Sequence, residues 1–182
     1  MRDVLGVDPG RRGAAVLLRG SKVVAAATWR PSTRNRIGGF RVRSYPDDAR
    51  AFVESFHELG SWLALRLRAR SLGAWTLAVE EAVVRRNPAV SIKIARAAGE
   101  LSGPLSGYAI GPTSWVRASM WRSRVLGLSH FAGRGAAKLA STEYVPALVE
   151  GFADVVEALG SSDDLSDAAG IALWLSLTEE ER

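Results

Sequence analysis

Two short apolar runs, far apart in the chain, each stop at a carboxylate. Val4-Leu5-Gly6-Val7 ends at Asp8-Pro9-Gly10, and Trp75-Thr76-Leu77-Ala78-Val79 ends at Glu80-Glu81. Runs this short and apolar, bounded by turn residues, read as buried central strands. In an open α/β sheet, sites gather just beyond strand ends. If the two strands are parallel neighbours, Asp8 and Glu80 leave the sheet at the same edge. Few folds put two acids there without using them.

The rest of the chain fills in around these strands. Residues 13–18 and 22–28 are further apolar runs separated by Gly20-Ser21, and with the first run they predict an antiparallel three-stranded meander. Residues 29–46 carry Arg30, Arg34, Arg36, Arg41 and Arg43 among Pro, Ser, Asn and Gly. This segment reads as a basic insertion, an exposed loop or irregular hairpin. From Asp47 the pattern turns helical, with Phe52, Phe56, Leu59, Leu63 and Leu67 at spacings of three and four and Asp47 or Asp48 as cap. Beyond Glu80 the reading is a loop to Pro88 and a helix over 89–101 broken by Gly103-Pro104. A fifth strand over 105–110 and a short helix follow. Residues 127–135 read as a loop, 136–158 as helical with an interruption at Pro146, and 162–178 as a last helix. The order predicts an α/β fold, a mixed five-stranded sheet flanked by helices, as a single domain over 1–182.

Composition narrows the function. Cysteine is absent, which excludes thiol catalysis, disulfides and zinc–thiolate sites, and His57 and His130 alone cannot make a histidine metal site. The net charge is +5, and nearly all the cationic residues are arginines, with Lys22, Lys93 and Lys138 the exceptions. Arginine makes planar, permanently charged contacts to phosphate, so a polyanion such as nucleic acid is one expected partner; an arginine preference without function is the other reading. No apolar run reaches the roughly 20 residues of a membrane helix. The first residues lack a secretory pattern, and the expectation is a cytoplasmic protein.

Two more acids, Asp164 and Asp167, lie three apart at the start of the last helix, on one helical face. Hard divalent cations take oxygen ligands, and four convergent carboxylates suffice for two ions. Each acid also has a plainer explanation. Asp8 can begin a turn. Glu80 can be a solvated strand end, and Asp163, Asp164 and Asp167 can be favourable charges at a helix N-terminus. Asp163 and Asp164 are equivalent candidates at this point.

Three blocks in order resemble the RuvC family of Holliday-junction resolvases, within the ribonuclease H-like nucleases. Val4-Leu5-Gly6-Val7-Asp8-Pro9-Gly10 is similar to its opening strand, and Leu77-Ala78-Val79-Glu80-Glu81 to its glutamate strand. Asn87, Ser91, Lys93 and Arg96 resemble the next loop and helix, and Asp164-Leu165-Ser166-Asp167-Ala168-Ala169-Gly170 the closing helix. The resemblance implies a ribonuclease H-like fold and a homodimer that nicks two strands of a four-way junction symmetrically. It implies two magnesium ions, with manganese as a substitute. Asp8 would bridge both ions, Glu80 would bind one, and Asp167 with Asp164 the other. The products would carry a 5′-phosphate and a 3′-hydroxyl.

The chain departs from that pattern in places. Asp8 and Glu80 are 72 positions apart, more than the resemblance implies, and the excess falls in the arginine-rich segment. Val83 stands where the family often has an aromatic wedge. Lys138, after Gly133-Arg134-Gly135, resembles the family's loop lysine and is a candidate for the scissile or an adjacent phosphate. Arg85, Arg86, Lys93 and Arg117 are candidates for the DNA path. Trp62 and Trp174 are expected in the core, while Trp115 and Trp121 lie nearer the expected DNA side. Other readings are a ribonuclease H-like nuclease on other branched DNA or RNA, or a non-catalytic branched-DNA-binding protein. An actin-like ATPase would need a second phosphate loop and a glycine-rich adenosine site, which the sequence lacks.

Overall fold

Alternating and continuous apolar runs shape the first half of the chain into strands. The computed structural model describes residues 2–32, 39–81, 88–128, 133–160 and 162–181. The strands β1 (Asp3–Asp8), β2 (Gly13–Arg19) and β3 (Lys22–Pro31) form the expected antiparallel meander. β1 and β2 are buried on both faces, as their near-continuous apolar content requires.

The sheet then grows beyond expectation. β4 (Phe40–Tyr45) and β5 (Arg50–Val53) extend the meander outward. On the other side β6 (Trp75–Glu80) pairs parallel with β1, and β7 (Ser114–Val116) pairs parallel with β6. The order is β5-β4-β3-β2-β1-β6-β7, seven strands rather than five. Residues 29–46, read as an exposed loop or irregular hairpin, carry the end of β3 and all of β4, which pair antiparallel. Phe40, Val42 and Ser44 are buried while Arg41 is exposed, the period-two signature of a half-buried strand. Thr33, Arg34, Asn35, Arg36, Ile37 and Gly38 lie outside the described residues.

Six helices cover the sheet: α1 (Phe56–Arg68), α2 (Pro88–Ser106), α3 (Ala118–Leu126), α4 (Arg134–Leu148), α5 (Phe152–Leu159) and α6 (Asp163–Glu180). α1 and α2 pack on one face, where Leu59, Leu63, Leu101 and Leu105 meet Leu5, Val7, Leu77 and Val79. α6, with α5 and residues of α3 and α4, packs on the other, against Val4, Val16, Leu18 and Ala78.

Three boundaries differ from expectation, each for a local reason. α1 begins at Phe56, not Asp47. Ser55 Oγ accepts from the Glu58 N–H at 3.1 Å, and the Glu58 carboxylate accepts from the Glu54 N–H at 2.8 Å. This Ser-x-x-Glu pairing satisfies one donor of the first turn and the donor just before the cap. Phe52, which mimics the helical spacing, lies on β5 and is exposed. Asp47 caps nothing and instead accepts from Arg70 at 2.6 Å. Gly103-Pro104 does not end α2, because Leu101 and Leu105, one turn apart, are both fully buried in the core against α1. The expected strand at 105–110 reduces to one bridge between Ala109 and Trp75. The break between α4 and α5 falls at Gly151, whose φ of 78° suits glycine, and Pro146 stays inside α4. No helix among the described residues is long and apolar enough to cross a membrane.

Candidate active site

Glycine at position 6 brings the site together. A β-carbon there would collide with the Ala168 carbonyl and with Ala172 of α6. β1 and α6 therefore approach at backbone distance. Strand side chains alternate, so Asp8, two residues on, projects toward the same α6 face as Gly6. Ala78, paired with Gly6, also packs on the α6 side, and Glu80 follows it by two. The last paired rung of β1 and β6 is Val7 with Val79. Asp8 and Glu80 thus leave adjacent parallel strands, about 4.8 Å apart, on one face.

Along α6, Asp164 lies one turn before Ala168, and Asp167 sits between them. Ser162 caps this helix by accepting from the Leu165 N–H at 3.1 Å, which fixes where the first turn begins. The consequence is visible at Asp8. Its carboxyl is held well above the ordinary carboxylate range, first by burial and then by the negative charges of Glu80, Asp167 and Asp164; only the Gly10 N–H acts in the opposite sense. The other three expected acids therefore all act on Asp8. Asp164 is also raised, chiefly by burial, with Lys138 opposing and Asp167 and Asp163 adding to the shift.

The acids nevertheless have different partners. Asp167 is only 6% exposed; its Oδ1 accepts from Ser141 Oγ at 2.5 Å and its Oδ2 from Arg122 at 2.7 Å. Glu80 Oε2 accepts from Trp121 Nε1 at 3.1 Å. Asp163 turns away to Lys138, 2.5 Å from its ammonium. Asp163 and Asp164 are thereby distinguished: Asp164 is among the charges acting on Asp8, whereas Asp163 accepts from the lysine. Lys138 itself lies beside the acid set, half-exposed at the start of α4.

Arg122, Ser141 and Trp121 were not among the expected site residues. Trp121, expected nearer the DNA side, is fully buried against Gly170 of α6. Nothing local marks these three; only the packing of α3 and α4 on α6 brings them to the acids. Arg117 is exposed and pairs with Glu81 at 3.1 Å, and Lys93 is exposed on α2. Trp62 and Trp174 are half-buried at the edges of the two core clusters. Arg85, Arg86, Val83, Asn87 and His130 lie outside the described residues. The donor set, all carboxylate oxygen, suits a hard divalent cation. Among the described residues, no three acidic or histidine side chains are gathered closely enough to hold one ion as they stand.

No family model matches the chain, and no curated protein matches it. Solved structures do. A structure described as T. thermophilus RuvC in complex with a Holliday junction substrate aligns over 100% of this chain and 96% of its own, at 18% identity and a TM-score of 0.53. A Thermus thermophilus RuvC structure aligns over 98% of this chain and 96% of its own, at 14% identity and a TM-score of 0.52. From one end to the other, the chain has the ribonuclease H-like fold of these RuvC structures.

Proposed function

We propose that this chain is a magnesium-dependent DNA endonuclease acting on branched DNA, four-way junctions in particular. The observation that carries the proposal is the crowding of Glu80, Asp164 and Asp167 around Asp8. Close carboxylates with too little compensating charge are costly in a merely structural role, and a cation resolves the cost. The fold shared with a RuvC bound to a junction supports the choice of substrate. The net charge of +5 suits a polyanion.

In this reading Asp8, Glu80, Asp164 and Asp167 hold two magnesium ions, and manganese substitutes. When bound, the metal supplies Lewis acidity for activating water and for stabilising the leaving oxygen of a phosphodiester. The chain's own residues set the stage. Asp8, the most crowded of the four, would be the acid most relieved by such a cation. Trp121 orients Glu80, and Arg122 and Ser141 orient Asp167, as carboxylates that would hold the ions. Lys138 meets the scissile or an adjacent phosphate, as a compact point charge can. Arg117 and Lys93, with Arg85 and Arg86, position the duplex through its phosphates without reading bases. A homodimer gives paired, symmetric nicks with 5′-phosphate ends.

Asp167→Asn is the direct test. Junction cleavage in magnesium should fall below detection while junction binding stays within about twofold, since phosphate contacts carry the affinity. Magnesium-dependent cleavage by a clean preparation of this variant would remove Asp167 from the site. Competition among junction, flap, linear duplex and RNA substrates separates junction resolution from action on other branched DNA or RNA.

A further inference from the structure

Beside the acid cluster runs a groove of about 790 Å³ between the outer strands of the sheet and the α5–α6 junction, with Asp164 at its inner end. Its floor is set by strand register. Arg30 on β3 stands directly opposite Arg41 on β4, and Arg43 opposite Arg50 on β5. Like charges directly opposite one another destabilise a sheet. The core does not require them: Trp29, Phe40, Val42 and Val53 are buried with α1 in the other cluster. Period-two alternation asks only for polar residues on the open face, not for arginine at facing positions.

The two facing pairs are treated differently. Arg43 and Arg50 share Asp48, at 3.2 and 2.8 Å, and Arg43 also donates to the Ala158 carbonyl at 2.6 Å. Arg30 and Arg41 are exposed and have no carboxylate partner among the described residues. Arg12, in the turn after Asp8, is also exposed, lines the groove and lowers the carboxyl of Asp164. That turn is tied to β3, because Trp29 Nε1 donates to the Gly10 carbonyl at 3.0 Å. The backbone therefore lines these residues up as a track. Their α-carbons sit about 5 Å apart across strands and about 7 Å apart along one strand.

We propose that this groove holds the phosphodiester backbone of a DNA arm leading into the acid cluster, with Arg30 and Arg41 as paired phosphate contacts and Arg12 joining the track to the site. An anion between Arg30 and Arg41 removes their mutual repulsion, and guanidinium groups donate to phosphate oxygens in bidentate fashion. The proposal rests on the nucleic-acid reading above and specifies which surface the DNA uses.

The test is binding of a labelled four-way DNA junction, without divalent metal, across a range of chloride concentrations. Each phosphate contact contributes about 0.9 to the slope of log affinity against log salt. Arg30→Ala/Arg41→Ala should reduce that slope by about 2 and weaken binding roughly ten- to hundredfold at low salt. Arg41→Gln alone should reduce it by about 1. Arg30→Lys/Arg41→Lys should keep the slope. Arg66→Ala/Arg68→Ala, which removes the same charge from α1 on the opposite face, should leave it unchanged. An unaltered slope in both alanine and glutamine variants overturns the groove while wild-type binding leaves the nuclease reading standing. If the wild type binds no junction, both readings fall.

Discussion

The two ends of β1 each carry one aspartate, and the two are built in opposite ways. Asp3, at the start, is buried and fully answered. Arg19 reaches it with both Nε, at 2.8 Å, and a terminal nitrogen, at 3.1 Å, and the Leu72 N–H donates at 2.9 Å. Burial by itself would raise its carboxyl, but these bonds and the Arg19 charge together hold it below the ordinary range. Asp8, at the far end, is held well above that range by burial and by the negative charges of Glu80, Asp167 and Asp164. One strand thus shows what a structural acid and a site acid look like in the same sheet. The first is satisfied within the chain; the second is the one that, in the proposed function, a cation would neutralise.

The largest expected effect tests the site end. Asp8→Asn should abolish magnesium-dependent junction cleavage, since Asp8 is the group on which the other three acids act. In metal-free buffer the same variant should be at least as heat-stable as the wild type, because it removes a crowded charge. Magnesium should raise the unfolding temperature of the wild type and not of the variant, by mass action on the folded state alone. A variant that cleaves normally, or that unfolds well below the wild type without metal, would make Asp8 an ordinary structural aspartate like Asp3.

At the other end the effect is on stability. Asp3→Ala leaves the Leu72 N–H without its acceptor and Arg19 without its partner. The cost should be about 3 kcal/mol, or roughly 6–12 °C in unfolding temperature for a chain of this size. Cleavage below the transition should be retained. Urea denaturation followed by circular dichroism measures the first, and junction nicking at low temperature the second.

The contrast also explains what was legible in the sequence. Asp8 and Glu80 were visible because a buried strand is a short, continuous property of the chain; the close approach at Gly6 came only with the structure. The outer strands were harder. Phe40-Arg41-Val42-Arg43 alternates as a strand should, but the surrounding Pro, Ser and Gly read as loop, and Phe52 happens to stand four before Phe56. The Ser55-x-x-Glu58 cap was there to be seen and would have corrected the start of α1. Arg122 and Ser141 were not legible at all, since their partner Asp167 is distant in sequence and only helix packing unites them.

pH separates the two ends by sign. Asp3 is lowered on folding, so its contribution is present above the unfolded carboxylate pKa of about 3.9 and is lost as pH falls through the folded value. Asp8 is raised, so without metal the stability tied to its neutral form is present below about 3.9 and is lost as pH rises through the folded value. Denaturation of Asp3→Ala and Asp8→Asn against the wild type, from pH 3 to pH 8, should therefore show opposite trends. The penalty for losing Asp3 should grow with pH, and the gain from neutralising Asp8 should grow with pH. Trends of the same sign would refute the distinction.

The smallest effect concerns how Asp3 is held rather than whether it is. Arg19 presents a fork to both carboxylate oxygens, and a lysine keeps the charge while losing one of the two parallel bonds. Arg19→Lys should therefore cost about 1 kcal/mol, the usual net worth of one intramolecular hydrogen bond, and no more. The urea midpoint should fall with an unchanged slope, because the folded and unfolded surfaces hardly differ. Cleavage should be unaffected, since β1 is also fixed by its pairing with β2 and β6 and by α6 against Gly6. If a loss this small at Asp3 nevertheless lowered junction cleavage, the two ends of β1 would be mechanically coupled. The strand would then transmit strain from its structural aspartate to Asp8 rather than merely carry both.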